Sequence, residues 1–566
     1  MDRTRVLAPA LFVLAATLFL IANRGAYHGY FFEDDFSNLS FTRWAGTSEY
    51  LTAAFSPRYY PNNYRPIGHL FFRTMAHAAG LHFQPYIGIL HLVHLANVAM
   101  VWLLLRRLLL PLWAASAGAL FFAFHMATFG IYWMPMYAFD LLCGTFCLLS
   151  LLLWLKDRWL LSLLCFWVAY RCKEVAVMLP LALAAYEYLL GKRRWPRLVP
   201  FFLVSVWFGI QGLLTASSGA GYKFHYDLPN LGNAALYYSA RLFLIPATGL
   251  AILPVVLLLP FVVAPVARDR RFWLGVAAFA TLLAPMLLLS DKLDGPYLYV
   301  PLIGLAIAVA VAAPRQGPIA IVLFFGLWIP WNYANLRWLR RDELSAADDR
   351  RRYVTMLGDF LRSQPAIKSF VYRNAPLADP WGAQAAIEWF RPLEDIRVAR
   401  EDANDARTVL DAPQFAVLHW NRFAHRLEPV VRLPDTPDLF YIEAGAHMPV
   451  WQLGAGWAAA KDGSGIRWTK SAASARLARP PAATEFEITA VVNPDYLTRF
   501  GPMQLMVTID GRRLEPATLD QSGRVTAHWK VDAAPPDPAR VTVATSPPYR
   551  ISDETGITIA GFGFTR

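Results

Sequence analysis

Apolar runs long enough to cross a bilayer dominate the first 335 residues of the chain. A hydrocarbon core about 30 Å thick needs roughly 20 apolar residues per helix, because backbone polar groups must be satisfied within the segment. A mean hydropathy of +0.33 and a hydrophobic fraction of 56% agree with this pattern. We predict a polytopic α-helical membrane protein with about eleven spans, at about 6–22, 86–105, 112–130, 136–155, 159–171, 174–190, 198–216, 248–266, 272–290, 297–313 and 317–334.

The basic residues between these runs predict the orientation of the chain. Short junctions alternate between rich and poor in Lys and Arg, with Arg171 and Lys173 as the main exception among the poor ones. Because Lys and Arg concentrate on the cytoplasmic side, we expect a cytoplasmic N-terminus and an extracytoplasmic C-terminal region. The stretch 232–247 is interpreted as a helix at the outer face; if it spans instead, the C-terminus lies inside. The basic junctions are Arg106-Arg107, Lys156 with Arg158, Lys192-Arg193-Arg194 with Arg197, Arg268 with Arg270-Arg271, and Arg315.

The net charge of +12 is explained by the same junctions. Since much of the excess lies in short loops between apolar segments, we expect the lipid bilayer, and no nucleic acid, as a partner. All four cysteines belong to the membrane half, so the C-terminal half cannot depend on disulfides for its stability.

The character of the sequence changes after residue 335. A charged helix at 341–363, short strands near 370–372 and 396–398, and a helix near 381–390 predict a small α/β domain over 336–455. From 456 to 566 the sequence alternates in strand fashion, with turn signals at Asp510-Gly511 and Ser522-Gly523, and predicts a β-sandwich. Trp457 and Trp468 of this region are aromatic candidates for sugar stacking, with burial in the sandwich core as the commoner alternative.

Polar residues of the membrane half collect at the outer junctions. The first outer loop, about 23–85, is the longest and opens with the acidic run Glu33-Asp34-Asp35. Acidic residues at a membrane surface are costly and therefore tend to be functional. Arg65 follows in the same loop, and later junctions hold His125, Trp133, Tyr137, Asp140, Arg171, Lys173, Glu174 and Lys292. If the helices form one bundle, these groups meet in one outward-facing cavity.

Five motifs follow one another along the membrane half: Phe32-Glu33-Asp34-Asp35-Phe36, Tyr64-Arg65-Pro66, His125…Trp133…Tyr137…Asp140, Lys173-Glu174…Pro180 and Tyr297-Leu298-Tyr299-Val300-Pro301. Taken in this order, they resemble the GT-C glycosyltransferases over about residues 1–340. The resemblance is to bacterial relatives of the protein O-mannosyltransferases (PMT/ArnT-like) and of the tetratricopeptide-repeat-bearing transmembrane O-mannosyltransferases. The C-terminal half lacks the 34-residue repeat period. Gly295-Pro296 stands where the family has an arginine, so Lys292 is the nearest substitute.

The resemblance implies transfer of a sugar from a polyprenyl-phosphate donor to a protein, lipid or glycan acceptor outside the cytoplasm of a bacterial inner membrane. We expect Asp34 or Asp35 as the base. No cofactor is assigned, and a divalent metal is not favoured because the acidic run lacks Asp-X-Asp spacing. The expected donor-phosphate ligands are Arg65, Lys173, Arg171 and Lys292, and the expected substrate-binding residues are Glu33, Tyr64, His125, Trp133, Tyr137, Asp140, Glu174 and Tyr297.

Other interpretations remain open at this stage. The acidic run can cap a helix, Arg65 can pair with an acid to hold its loop, and Lys173-Glu174 can close a helix end. An oligosaccharide ligase or polymerase of the outer leaflet would use similar donors, but its long loop normally comes late in the bundle. A lipid-linked sugar transporter or flippase would favour inverted repeats and charges at mid-membrane.

The predicted orientation is testable by labelling. A single cysteine placed near residue 450 should react with a membrane-impermeant maleimide in intact spheroplasts, because that region is expected outside the cytoplasm. Reaction only after permeabilisation would reverse the predicted topology.

Overall fold

The computed structural model divides into two compact units, residues 1–351 and residues 352–566, each of which is considered by itself. The three-part division predicted from the sequence, with boundaries at 335 and 455, stays a prediction. The structure describes residues 3–32, 34–43, 46–54, 65–215, 224–245, 263–377, 381–392, 394–401, 409, 414–432, 439–443, 452–454, 456–459, 467–469, 472–480, 483–532, 538–546 and 557–565.

Helices make up the first unit. Short 3-10 segments join several of them, at Arg24–His28, Met126–Tyr132, Pro135–Tyr137, Glu174–Met178 and Gly295–Leu298. The described α-helices are α1 (Arg3–Ala22), α2 (Asp34–Phe41), α3 (Thr47–Ala54), α4 (Pro66–Ala79), α5 (Phe83–Arg107), α6 (Leu112–Phe124), α7 (Ala138–Leu155), α8 (Trp159–Cys172), α9 (Leu179–Leu189), α10 (Trp195–Thr215), α11 (Leu228–Phe243), α12 (Arg270–Leu287), α13 (Leu302–Asn335) and α14 (Arg337–Ser363), the last of which continues into the second unit.

Three described helical stretches are long and apolar enough to cross a membrane: Phe83–Arg107, Pro135–Leu155 and Leu302–Asn335. A fourth is obtained if Leu112–Phe124 and Met126–Tyr132, which are bent by 65°, form one broken span. The helical membrane unit therefore agrees with the predicted fold class. The count of about eleven spans is not confirmed, and most of the expected run 248–266 lies outside the described residues.

The long helix α13 is interrupted at Gly317, whose φ of 80° belongs to the left-handed region that glycine favours. Both halves pack on α6: Ala310 approaches Gly118, and Trp328 stacks on Phe121 with ring centroids 5.3 Å apart. The Asn332 side chain accepts a hydrogen bond from the Met126 amide, at the far end of α6. The chain thus reverses near Gly317, as expected for two separate apolar runs.

Glycines allow α12 and α13 to approach closely. A Cβ atom on Gly304 would lie 2.4 Å from the backbone nitrogen of Phe279 and 2.5 Å from the carbonyl oxygen of Gly275. These distances are too short for any side chain, so the contact requires bare backbone on both helices.

A charged network joins α7, α9 and α10 at the basic end of the bundle. The buried Glu187 carboxylate accepts hydrogen bonds from the Trp154 indole and from Arg194. Arg194 and Arg197 also pair with the exposed Asp157. These arginines, predicted as topology determinants, therefore bind neighbouring helices as well.

The second unit contains a four-stranded sheet followed by a sandwich. The strands of the four-stranded sheet are β1 (Ser369–Arg373), β2 (Arg397–Arg400), β3 (Phe415–Asn421) and β4 (Arg426–Arg432). Their order is β2-β1-β3-β4; β1 is parallel to β2 and β3, whereas β3 and β4 are antiparallel. Helix α15 (Trp381–Phe390) connects β1 to β2, as in the predicted α/β domain.

Two antiparallel sheets form the sandwich. The elements are β5 (Tyr441–Glu443), β6 (Trp457–Ala459), β7 (Arg467–Thr469), β8 (Ala472–Leu477), β9 (Glu485–Val492), α16 (Pro494–Phe500), β10 (Met503–Ile509), β11 (Arg512–Arg513), β12 (Ala517–Leu519), β13 (Gly523–Lys530), β14 (Ala539–Ser546) and β15 (Ile557–Thr565). One sheet has the order β11-β10-β14-β8, with β12 paired to β10. The other has the order β13-β9-β15-β7-β6, with β5 paired to β15.

Side chains from both sheets fill one core. Leu505 and Val541 of the first sheet join Ile488 and Phe562 of the second in a single buried cluster. Trp457 belongs to this core, stacks on Phe562 at 4.9 Å and donates its indole N–H to the Ser474 carbonyl. Its ring is therefore buried in the core and is not a surface platform for a sugar. The Trp468 side chain lies outside the described residues.

The close contact at Gly304 predicts that two alanine substitutions within α13 differ in their effect on stability. Gly304→Ala should lower stability by roughly 1–3 kcal/mol, because its Cβ overlaps backbone atoms. Gly326→Ala is the matched control, since nothing lies within 4 Å of its added Cβ. It should be neutral or slightly stabilising through better helix propensity. Thermal unfolding midpoints in detergent measure both, and equal midpoints would contradict the described contact.

Candidate functional site

Four stretches that are far apart in the sequence meet in one cluster of charged and aromatic side chains. They are the start of α4, the start of α7, the segment after α8, and the 3-10 segment 295–298 with the residue before it. The side chains of this charge cluster are Arg65, Tyr137, Asp140, Lys173, Glu174, Asp294 and Tyr297.

A buried ion pair between Lys173 and Asp140 lies at the centre of the charge cluster. The Nζ–Oδ2 distance is 2.6 Å, and the side chains are only 10% and 3% exposed. Asp140 occupies the first turn of α7, where the backbone N–H groups and the helix dipole favour a carboxylate. Lys173 has an extended backbone where α8 ends, and its ammonium lies 4.6 Å from the centroid of the Tyr297 ring. The lysine is thus held by a charge and an aromatic face.

A second acid, Asp294, borders this pair. The Tyr137 hydroxyl donates a hydrogen bond of 2.6 Å to Asp294 Oδ2. Burial raises the pKa of Asp294, and the Tyr137 hydrogen bond and the Lys173 charge offset that rise only in part. The Asp294 carboxyl is therefore a second acid within electrostatic reach of Lys173.

Arg65 and Glu174 form a forked ion pair at the more exposed edge of the charge cluster. Arg65 Nε and Nη2 each donate a 2.8 Å hydrogen bond to one carboxylate oxygen of Glu174. The Arg65 side chain is 17% exposed and that of Glu174 is 48% exposed. The Arg65 guanidinium also lies 5.6 Å from the centroid of the Phe139 ring. The predicted alternative, in which Arg65 pairs with an acid, is what the structure shows.

The position of Arg65 depends on how α4 packs against α7. Arg65 precedes Pro66, the first residue of α4, and Gly68 follows within the first turn. A Cβ on Gly68 would lie 1.9 Å from the Phe139 ring, so the ring occupies the space of a side chain. On the same helix, burial and the nearby Arg65 charge lower the pKa of His69 to about 3. His69 is therefore neutral and adds no charge to the site.

The two aspartates of the acidic run, Asp34 and Asp35, are the first residues of α2. Asp35 is buried; its Oδ2 accepts a 2.8 Å hydrogen bond from the Phe32 amide, and Oδ1 has no hydrogen-bond partner among the described residues. Burial raises the pKa of Asp35 well above its usual value, and the Phe32 amide and Arg350 lower it only in part. Within the described part of the chain, Asp35 makes no hydrogen bond or ion pair with the charge cluster. Asp34 is exposed.

The other predicted site residues have different surroundings. The Arg171 guanidinium lies over the Trp167 and Phe208 rings, and Lys292 lies in the loop that leads to Asp294. His125 Nδ1 accepts a hydrogen bond from the Ala127 amide and caps the 3-10 segment after α6. The Trp133 indole donates to the Asn23 side chain in the bundle core. Glu33 and Tyr64 lie outside the described residues.

The structure therefore brings six of the predicted residues together: Arg65, Tyr137, Asp140, Lys173, Glu174 and Tyr297. Asp294 is not among the predicted site residues, and its position in the sequence does not indicate that Tyr137 is its partner. Within the described ranges, no group of three or more His, Cys, Asp or Glu residues is arranged to hold a metal ion. Metal dependence stays a prediction.

No family model matches the sequence, and no curated protein matches it. Among solved structures, the chain is similar to ArnT from Cupriavidus metallidurans, described as bound to undecaprenyl phosphate, with 14% identity and a TM-score of 0.42. The similarity covers 75% of this chain and 97% of ArnT.

The burial of the Lys173–Asp140 ion pair predicts how its two side chains contribute to stability. Lys173→Met leaves Asp140 buried without its cation, and should cost about 3–5 kcal/mol. Combining Lys173→Met with Asp140→Asn removes both charges and should recover much of that loss. Unfolding in detergent across the double-mutant cycle measures the coupling. Additive losses would show that the two side chains do not interact.

Proposed function

We propose that this chain is a membrane glycosyltransferase that takes a sugar from a polyprenyl-phosphate carrier and passes it to an acceptor outside the cytoplasm. The observation that carries the proposal is the charge cluster itself. The motifs behind the GT-C resemblance are far apart in sequence, yet Arg65, Asp140, Lys173, Glu174 and Tyr297 meet at one place.

The cations of the cluster suit a lipid phosphate. When the bond between the anomeric carbon and the carrier oxygen breaks, negative charge grows on the leaving phosphate. The two parallel N–H groups that Arg65 donates to Glu174 are equally suited to two phosphate oxygens, and Lys173 adds a compact charge oriented by Asp140. One such contact contributes about 2–4 kcal/mol to the transition state. Tyr297 supplies an aromatic face next to the ammonium.

The acceptor side of the reaction needs a base. The acceptor hydroxyl attacks the anomeric carbon with inversion, and its proton passes to a carboxylate as the lipid phosphate leaves. Asp35 is the preferred base, because it is buried, keeps Oδ1 unbonded among the described residues and has a raised pKa. Asp34, which is exposed, is the alternative. No metal is assigned to the step.

The proposal is tested by transfer from a panel of polyprenyl-phosphate sugars to added acceptors, with the purified chain in nanodiscs. Asp35→Ala and Arg65→Gln should each lower kcat/KM by a factor of about 100 or more, as expected for loss of a base or of a charge contact in the transition state. Asp157→Asn, an exposed ion-pair residue at the basic end, is the matched control and should keep full activity.

The pH profile separates the two aspartates. A base acts in its ionised form, so transfer should increase as pH increases through the raised pKa of Asp35, and Asp34→Ala should keep that dependence. Full transfer by folded Asp34→Ala and Asp35→Ala variants would remove both residues as the base. If no donor on a broad panel is consumed or bound, the glycosyltransferase proposal is wrong.

A further inference from the structure

Both cations of the charge cluster already hold a carboxylate. Lys173 holds Asp140, and Arg65 holds Glu174 through both of its forked N–H groups. The two pairs differ in exposure, because Asp140 is 3% exposed whereas Glu174 is 48% exposed. A buried pair is hard to separate, whereas a partly exposed pair is weakened by water and salt.

A carboxylate and a phosphate bind a guanidinium in the same way. Each presents two oxygens to two parallel N–H groups, so an anion that takes this edge of Arg65 must displace Glu174. Glu174 begins a 3-10 segment directly after Lys173, and its side chain is the more exposed member of its ion pair. Lys173 can stay on Asp140 while Glu174 leaves Arg65.

We propose that Glu174 is a built-in competitor for the phosphate site on Arg65, so that lipid-phosphate binding exchanges one anion for another. The proposal rests on the proposed function, in which Arg65 holds the donor phosphate. It assigns to Glu174 a role in regulating occupancy of that site, without contact with the reacting atoms.

The exchange matters most after the sugar has left. The donor phosphate is a diester with one negative charge, whereas the released carrier is a monoester with a charge of about −1.5 to −2 at neutral pH, like other phosphate monoesters. The product therefore binds a guanidinium more strongly than the donor does. Return of Glu174 to Arg65 opposes this product binding and helps the carrier to leave.

The test measures binding of undecaprenyl phosphate, without a sugar, to the full chain in nanodiscs. Glu174→Gln keeps the shape but removes the competing charge, and should lower Kd about tenfold, within the range usual for coupled sites. Arg65→Gln should raise Kd by at least that factor. Glu174→Asp keeps the charge and should stay near wild type, and Asp157→Asn is the remote control. In turnover assays, Glu174→Gln should show stronger inhibition by added carrier and a lower kcat.

The outcomes separate the two proposals. If Glu174→Gln binds the carrier no more tightly than wild type while Arg65→Gln loses binding, the competitor role is wrong and the phosphate site stands. If Glu174→Asp tightens binding as Glu174→Gln does, charge is not responsible and the competitor role is again wrong. A Glu174→Gln variant that fails to fold identifies the pair as structural and overturns the role. If wild type and all variants fail to bind, both proposals fail.

Discussion

The ion pair between Lys173 and Asp140 is the constraint on which the charge cluster depends. Neither group can be buried alone without a penalty of several kcal/mol, so α7 and the segment after α8 must bring them together. That requirement places Glu174, the next residue, within reach of Arg65 from α4. It also places the Lys173 ammonium against the Tyr297 ring, three residues after Asp294 in the chain. One electrostatic requirement thereby gathers side chains from four parts of the chain.

The charge cluster contains one buried ion pair and one exposed ion pair. The buried layer pairs Lys173 with Asp140, and Asp294, which accepts the Tyr137 hydrogen bond, borders the same lysine. The exposed layer pairs Arg65 with Glu174. The buried pair is the harder of the two to separate, and the exposed pair is the one that the proposed exchange with a lipid phosphate involves.

The sequence predicted much of this organisation, and the limits have physical causes. Apolar runs, basic junctions and strand alternation follow local rules, so the helix near 381–390 and the strands near 370–372 and 396–398 lie close to their predicted positions. The meeting of Arg65 with Glu174 was foreseen only as an unspecified pairing, and that of Tyr137 with Asp294 was not foreseen. Both join residues more than 100 positions apart, and periodicity carries no information on such contacts. The reversal at Gly317, by contrast, was visible as two apolar runs around Arg315.

Gly68 shows how far the site extends beyond its charged groups. The residue has no polar atom to offer beyond its backbone, and its place is defined by the Phe139 ring that fills the position of its missing side chain. Because that contact sets how closely α4 approaches α7, it also sets the separation of Arg65 from Asp140. A mutational scan that reads function from loss of activity will rank this glycine with the ionic residues. The geometry of a site can thus be encoded in a residue that takes no part in its chemistry.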